Sequence, residues 1–150
     1  MIGYFCNPNI YPKAEFYRRL ATARQIAEKI GFPIYEEPYN PQQWNKRTEL
    51  LKDEPEGGNR CNVCYRLRLE KTYLYLKSCQ ADTFTTTLTI SPHKSTQIIN
   101  KLGKEIGKNK FLERDFKKNN GFTKAIQIAR ERQLYRQNYC GCIYSIRKSV

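Results

Sequence analysis

The sequence is short of the residues from which several common kinds of site are built. It has one histidine, His93, one tryptophan, Trp44, and one methionine in 150 residues. A single imidazole excludes zinc sites that require two histidines. No apolar run approaches the roughly 20 residues that a membrane-spanning helix requires, and no repeat or low-complexity tract is visible. Met1 to Phe5 is apolar but has no basic lead-in, long apolar core or small-residue cleavage site. It does not read as a secretory signal, and a cytoplasmic location is expected. Acidic residues are also scarce, with 14 Asp and Glu against 27 Lys and Arg and a net charge of +13. Such an excess favours a polyanionic partner, nucleic acid first, through counterion release and long-range attraction; a merely basic soluble protein is the bland alternative. The basic residues run from Arg18 and Arg19 through Lys117 and Lys118 to Arg147 and Lys148. That spread suits a broad folded surface better than a tail.

Cysteine, by contrast, is plentiful. Six cysteines in a chain with no export signal point to metal ligands or redox thiols rather than structural disulfides.

The hydrophobic pattern alternates between strand-like and helix-like stretches. Ile2 to Phe5 reads as a buried strand stopped by Asn7-Pro8-Asn9. A chain that opens inside a core strand is unusual, so a further unit upstream is expected. Phe16, Leu20, Ala23, Ala27 and Ile30 recur at steps of four and three, which predicts an amphipathic helix from Pro12 to Gly31. Phe32 to Glu36 predicts a second strand. Asn40 is positioned to cap a helix opening at Pro41 and anchored by Trp44 and Leu51, and Glu54 to Asn59 is a loop. A helix over Arg60 to Leu76 should face Val63, Leu67 and Leu74 inward. Thr83 to Leu88 and Lys110 to Glu113 read as third and fourth strands around a helix through Ile98, Ile99, Leu102 and Ile106, and a last helix spans Gly121 to Arg132. This order predicts one α/β domain over residues 1–150, with an open, mostly parallel sheet flanked by helices. Ligands in such sheets gather beyond the strand carboxyl ends. Cys6 to Asn9, Leu88 to Lys94 and Asp115 to Lys117 should therefore converge, which marks Asn7, Asn9, Ser91 and Lys94 as candidate substrate contacts.

Cys61 and Cys64 form a C-x-x-C pair at a helix mouth, where i and i+3 side chains share a face and unpaired amides favour thiolates. Two ligands for one metal is the first reading; a thioredoxin-like pair or buried small residues are the others. Cys140-Gly141-Cys142 is closer-spaced. Its glycine lets the backbone fold tightly, so an easily reduced, strained disulfide for electron transfer competes with joint metal ligation. Cys6, at a strand end, is either a third metal ligand or a small buried side chain, and Cys79 reads as packing. Near the thiols, Arg60, Arg66, Arg136 and Gln137 are candidates for gripping a nucleic acid, with Tyr65, Tyr135 and Tyr139 available for stacking on an extruded base. A solvated helix face is the alternative for Arg66 and Arg68. Asp115 could supply a proton or bind a metal, or serve as a cap or surface charge. His93 receives no catalytic role.

Five segments carry a resemblance. Asn7-Pro8-Asn9-Ile10, Arg60-Cys61-Asn62-Val63-Cys64 with Arg66-Leu67, Thr86-Thr87-Leu88 with Ser91-Pro92, Asp115-Phe116-Lys117-Lys118, and Tyr135 to Cys142 resemble, in that order, the signature of the QueH-type epoxyqueuosine reductases. The resemblance covers nearly the whole chain. It implies a HUP-like (adenine nucleotide alpha hydrolase-like) fold and the final step of queuosine synthesis. In that step an epoxide on a modified wobble guanine of tRNA loses its oxygen, giving an alkene at the expense of two electrons from a donor yet to be identified. It also implies a [4Fe-4S] cluster, with an additional mononuclear iron as a further candidate. Cys61 and Cys64 would be cluster ligands, Cys140 and Cys142 a redox pair or second metal site, and Asp115 an acid helping to release water. Members of the family begin with a strand leading into a Cys-Cys-x-x-Cys stretch, and this sequence starts one βα unit later. The missing ligands would then come from Cys6, the terminal pair, a partner chain or an exogenous group. A catalytically inactive, basic tRNA-binding module with a structural metal is the alternative from another class, and a thiol–disulfide exchanger is a third.

Overall fold

The structure is a computed structural model and describes residues 1–146; Arg147 and Lys148, counted above with the basic surface, lie outside the described residues. Among these it contains a two-stranded parallel sheet and five α-helices, an α/β arrangement. In chain order the elements are β1 (Gly3–Phe5), α1 (Lys13–Ile30), β2 (Ile34–Glu36), α2 (Gln42–Thr48), α3 (Asn59–Ser78), α4 (Thr96–Gly107) and α5 (Gly121–Glu131). No helix among the described residues is long and apolar enough to cross a membrane.

The first βαβ unit forms where the periodicity places it. β1 and β2 run parallel with Gly3 opposite Ile34 and Phe5 opposite Glu36. Phe16 and Leu20 of α1 are buried against Ile10, with Phe5 and Tyr39 packed alongside. Gly31 ends α1 in the left-handed region at φ 85°, as a helix C-terminus favours. Asn40 accepts a hydrogen bond from the Gln42 N–H (3.2 Å) at the start of α2.

The third and fourth strands differ from expectation. They shrink to one parallel bridge, Phe84 to Phe111, in which the Phe84 N–H donates to Lys110 (2.9 Å) and the Leu112 N–H donates to Phe84 (2.8 Å). The β-branched run cannot extend the ladder because Thr86 turns the chain. Its hydroxyl accepts from the Leu88 N–H (3.3 Å) and opens a 3₁₀ turn over Thr87–Ile90. α4 lies on the bridge at close range, since a Cβ at Gly103 would stand 2.3 Å from the Phe111 ring.

α3 is the central helix. One side, with Tyr65, Leu69 and Leu76, packs on Phe84, Ile99, Leu102 and Phe111. Another, with Cys64 and Leu67, packs on Trp44 and Cys142. Leu74, expected inside, is 60% exposed. It lies on the Leu67 stripe two turns on, about 10 Å along the axis, where α2 and the C-terminal loop no longer cover the helix.

β1 runs against the direction of α3. Tyr4 stacks on Tyr75 with ring centroids 4.2 Å apart, and the Cys6 carbonyl reaches back to Arg68 (3.1 Å). The strand's carboxyl end therefore arrives beside the half of α3 that carries Cys64. Gly3 and Phe5 face β2, with Gly3 N–H donating to Pro33 and Glu37 N–H donating to Phe5. By the alternation of a parallel ladder, Tyr4 points its backbone groups the other way. Thr83 and Thr85 likewise turn theirs away from Phe111. These two edges border a cavity of about 880 Å³.

Candidate thiol site

The amino terminus of α3 is built by Glu54. Its carboxylate accepts from the Asn59 N–H (3.0 Å) and from the Asn59 side chain (3.1 Å), compensating open amides at the helix start. The first turns carry Cys61 and Cys64. Cys61 is half-buried and its sulfur accepts from the Gly57 N–H (3.2 Å); burial pushes its thiol up and that N–H pulls it down. Cys64 is buried, which pushes its thiol up to about 11, with Arg68 and Trp44 acting in the opposite direction. Cys140 and Cys142 are among the groups near enough to act on both thiols. Cys142 packs in one cluster with Cys64, Leu67 and Trp44. Cys6 is buried and also raised to about 11 by burial, against the pull of Arg68, and Cys64 is among the groups that act on it.

The Cys140-Gly141-Cys142 loop is held from three sides. Arg19 donates to the Cys140 carbonyl (2.9 Å) and the Tyr139 carbonyl (3.2 Å), while its Nε is paired with Glu15 (2.7 Å). The Tyr135 hydroxyl donates to the same carboxylate (2.9 Å). Tyr11 N–H donates to the Gly141 carbonyl (2.8 Å), and the Ser145 hydroxyl accepts from Gly141 N–H (3.3 Å) and donates to the Cys142 carbonyl (2.8 Å). Gly141 has φ 128°, and a Cβ there would stand 2.9 Å from Arg19 Nη1. Glycine is thus required by backbone and by space. All six cysteines are free thiols.

Lys94 completes the site from the opposite loop, its Nζ donating to Cys140 Sγ (3.3 Å). That loop is organised by Lys117, whose Nζ donates to the carbonyls of Thr89 (2.9 Å) and Lys94 (3.1 Å) and to Thr96 Oγ1 (2.6 Å). Cys140 lines both the larger cavity and a second of about 420 Å³. The two share a wall formed by Ile90, Ser91, Lys94, Tyr135, Gln137 and Cys140. Arg136 and His93 line the smaller cavity; Asn7 and Cys6 line the larger.

Several expected residues stand elsewhere. Arg60 is only 4% exposed; its Nη1 donates to the carbonyls of Leu51 (3.0 Å) and Lys52 (2.9 Å) and its guanidinium lies 4.7 Å from the Tyr144 ring centroid. It ties a loop to α3 and presents no hand to RNA, which corrects the expectation. Arg66 lies on the α4 side of α3, paired with Glu105 (2.5 Å). Asn9 is buried, with Oδ1 unpartnered. Asp115 borders neither cavity; its Oδ1 accepts from Thr96 Oγ1 (3.3 Å) and Lys117 N–H (3.0 Å), an Asx turn that ties its loop to the start of α4. Arg68, read as a helix-face charge, instead donates to the Cys6 carbonyl and to Asn7 Oδ1 (2.5 Å). Its position one turn after Cys64 was the available signal. Lys117 lay in a segment already expected to converge on the site, whereas the contacts of Arg19 and Trp44 with the cysteine loop join residues too far apart in sequence to leave a signal.

Among the described residues no three His, Cys, Asp or Glu side chains are arranged to hold a metal ion. The donor set is nonetheless soft, and one buried polar atom beside it, Trp44 Nε1, has no partner.

Residues 1–148 match the family model described as epoxyqueuosine reductase QueH. The chain is 40% identical to the epoxyqueuosine reductase QueH of Streptococcus pyogenes serotype M1, over 95% of this chain and 59% of that protein. It is 36% identical to the Staphylococcus epidermidis protein of that name, over 97% and 66%, and 31% identical to the Thermotoga maritima one, over 95% and 78%. The chain thus spans about three-fifths to two-thirds of the length of the first two relatives. Matched along almost all of its own length, the chain belongs to the QueH family of epoxyqueuosine reductases.

Proposed function

We propose that this chain carries the thiol centre of a cytoplasmic tRNA-modifying oxidoreductase, with a HUP-like sheet, that converts epoxyqueuosine to queuosine at the wobble position. The observation that carries the reading is the meeting of Cys64 with Cys142 in one cluster, while Cys140 lies under Lys94 in the wall shared by two cavities. The relatives' names supply the reaction class. A net charge of +13 suits an RNA partner.

The reaction removes the epoxide oxygen as water, consumes two electrons and two protons, and leaves an alkene. Two cavities joined at Cys140 allow a nucleotide and a redox centre to approach one sulfur from different sides. Arg136 and Gln137 border the smaller cavity with Tyr135 and Tyr139, which suits an extruded base. The Lys94 ammonium donates to the Cys140 sulfur and sits where it can pass a proton to an oxygen leaving beside it. Arg19 and Gly141 keep that sulfur in place.

Cys61 and Cys64, with Cys142 packed against Cys64 and Cys6 near enough for Cys64 to act on it, would hold an iron–sulfur cluster, for which thiolates are suitable donors. When bound, such a cluster supplies single electrons and, with an adjacent mononuclear iron, Lewis acidity. The electrons come from an external donor.

The test is single-turnover reduction of epoxyqueuosine tRNA by the anaerobically reconstituted chain with a chemical reductant, read by nucleoside mass spectrometry. Conversion is expected in the wild type and loss of conversion in Cys140→Ser with tRNA affinity retained. A wild type that binds tRNA without converting it refutes the reductase reading and leaves a binding module; turnover of small disulfides instead identifies a thiol exchanger.

A further inference from the structure

The larger cavity has the shape of a place in the sheet. Phe5 packs with Phe16 and Leu20 of α1, and Tyr4 stacks on Tyr75 of α3. Neighbouring strand residues point to opposite faces, so α1 and α3 cover the two faces of β1. Both helices continue over the cavity, with Ala23 and Ile26 from α1 and Leu69, Thr72 and Leu76 from α3 in its walls. The remaining two sides are backbone edges. Tyr4 turns its N–H and carbonyl away from β2, and Thr83 and Thr85 turn theirs away from Phe111.

These edges run in the same direction. The Ala81 N–H donates to the Leu76 carbonyl (3.2 Å), which starts the Thr83 to Thr85 segment at the end of α3 where Tyr4 meets Tyr75. At the far end Asn7 and Lys94, which follow the two edges along the chain, both border the cavity together with Cys140. A strand takes roughly 4.8 Å across the ladder, 10 Å between packed layers and 3.3 Å along its axis, or about 160 Å³ per residue. The cavity of about 880 Å³ therefore corresponds to about five or six residues, the length of an ordinary strand.

We propose that this cavity is the seat of one extended polypeptide segment that lies parallel to both edges, joins them into a single sheet and brings its carboxyl end to Cys140. Covered by helices on both faces, the segment has to be a near-continuous apolar run rich in Val, Ile and Leu, not an alternating one. Backbone groups of Tyr4, Thr83 and Thr85 supply its hydrogen bonds, as in strand addition to an open edge. Its source is polypeptide beyond residues 1–150: the match to the Streptococcus pyogenes relative takes in 59% of that protein, which leaves ample length for such a segment. Residues that follow the segment stand between Asn7, Lys94 and Cys140, so the docked partner adds side chains to the thiol site; this last statement alone rests on the function proposed above.

The probes are the flanks of the Streptococcus pyogenes relative that lie outside the match, each made as a separate chain and co-expressed with the whole of residues 1–150. One flank is expected to co-purify. Hydrogen exchange at Tyr4, Thr83 and Thr85 should then slow by about a hundredfold or more, while Phe84 and Leu112, already paired across the bridge, change little. Ala23→Trp puts an indole into the slot from α1 and removes no hydrogen bond of the chain; it should melt no lower than the wild type and fail to capture the flank. If that variant does not fold, the exchange measurement decides. The proposal is overturned by the absence of a complex with either flank, by a complex that leaves those three amides exchanging as before, or by undiminished capture in a folded Ala23→Trp. Protection of the same amides by self-association overturns it too, because the occupant is then a second copy. A docked complex that does not convert epoxyqueuosine tRNA refutes the reductase reading and leaves the strand seat standing.

Discussion

Replacing Arg19 by methionine removes one side chain that joins α1 to the cysteine loop 120 residues later. The guanidinium is 10% exposed and its partner, Glu15, 7%. The substitution deletes an ion pair at 2.7 Å and two bonds to the carbonyls of Tyr139 and Cys140, and leaves a buried carboxylate with the Tyr135 hydroxyl and, at 3.9 Å, the exposed Arg18. Breaking a buried pair from one side costs about 3–5 kcal/mol. The surviving tyrosine bond places this case at the lower end, about 3 kcal/mol, a large part of the roughly 5–15 kcal/mol that stabilises a domain. For a chain of this size that corresponds to a fall in Tm of about 6–12 °C. Thermal unfolding of Arg19→Met, Glu15→Gln and the double variant measures it, and the pair should couple by about 1 kcal/mol or more. Alkylation of Cys140 by iodoacetamide should also quicken, because its carbonyl tether is gone. A melting point within about 2 °C of the wild type, or strict additivity, would refute the account of how the loop is held.

Two further outcomes follow from burial and from the sheet edges. Cys6 and Cys64 are each raised by burial from 9.0 to about 11, so their neutral forms favour the folded state. The stability they contribute is fully present below pH 9 and is lost as pH rises through 11; urea titrations of the metal-free chain at pH 8 and pH 10.5 should show the decline, and Cys64→Ala should lessen it. Hydrogen exchange should be slow at Phe84 and Leu112, whose amides are paired across the bridge, and faster at Tyr4 and Thr85, whose amides face the larger cavity. Equal protection at all four would show that the cavity-facing edges are already covered.

Local pattern made the helices legible. α1 begins and ends close to its predicted limits because a 3–4 apolar period, a proline start and a glycine stop are written within a few residues, and α4 forms where its apolar period runs. The C-x-x-C and C-x-C pairs were visible for the same reason. The third and fourth strands were not, because β-branched residues record a preference for extended backbone without recording a neighbour to pair with. Thr86 had an alternative in bonding its own turn. Leu74 shows the same limit from the helical side, since a stripe is buried only as far as another element covers it.

By itself the sequence determined the helix-forming segments, the cationic character and the identity of the soft donors, which are properties of single residues or of neighbours along the chain. Only the tertiary structure decided that Cys64 meets Cys142, that Arg60 turns inward while Lys94 reaches Cys140, and that Trp44 brings an unpaired N–H to the same place. The Cys64–Cys142 and Lys94–Cys140 contacts join residues dozens of positions apart, and which polar group ends up dry is settled by how whole helices pack.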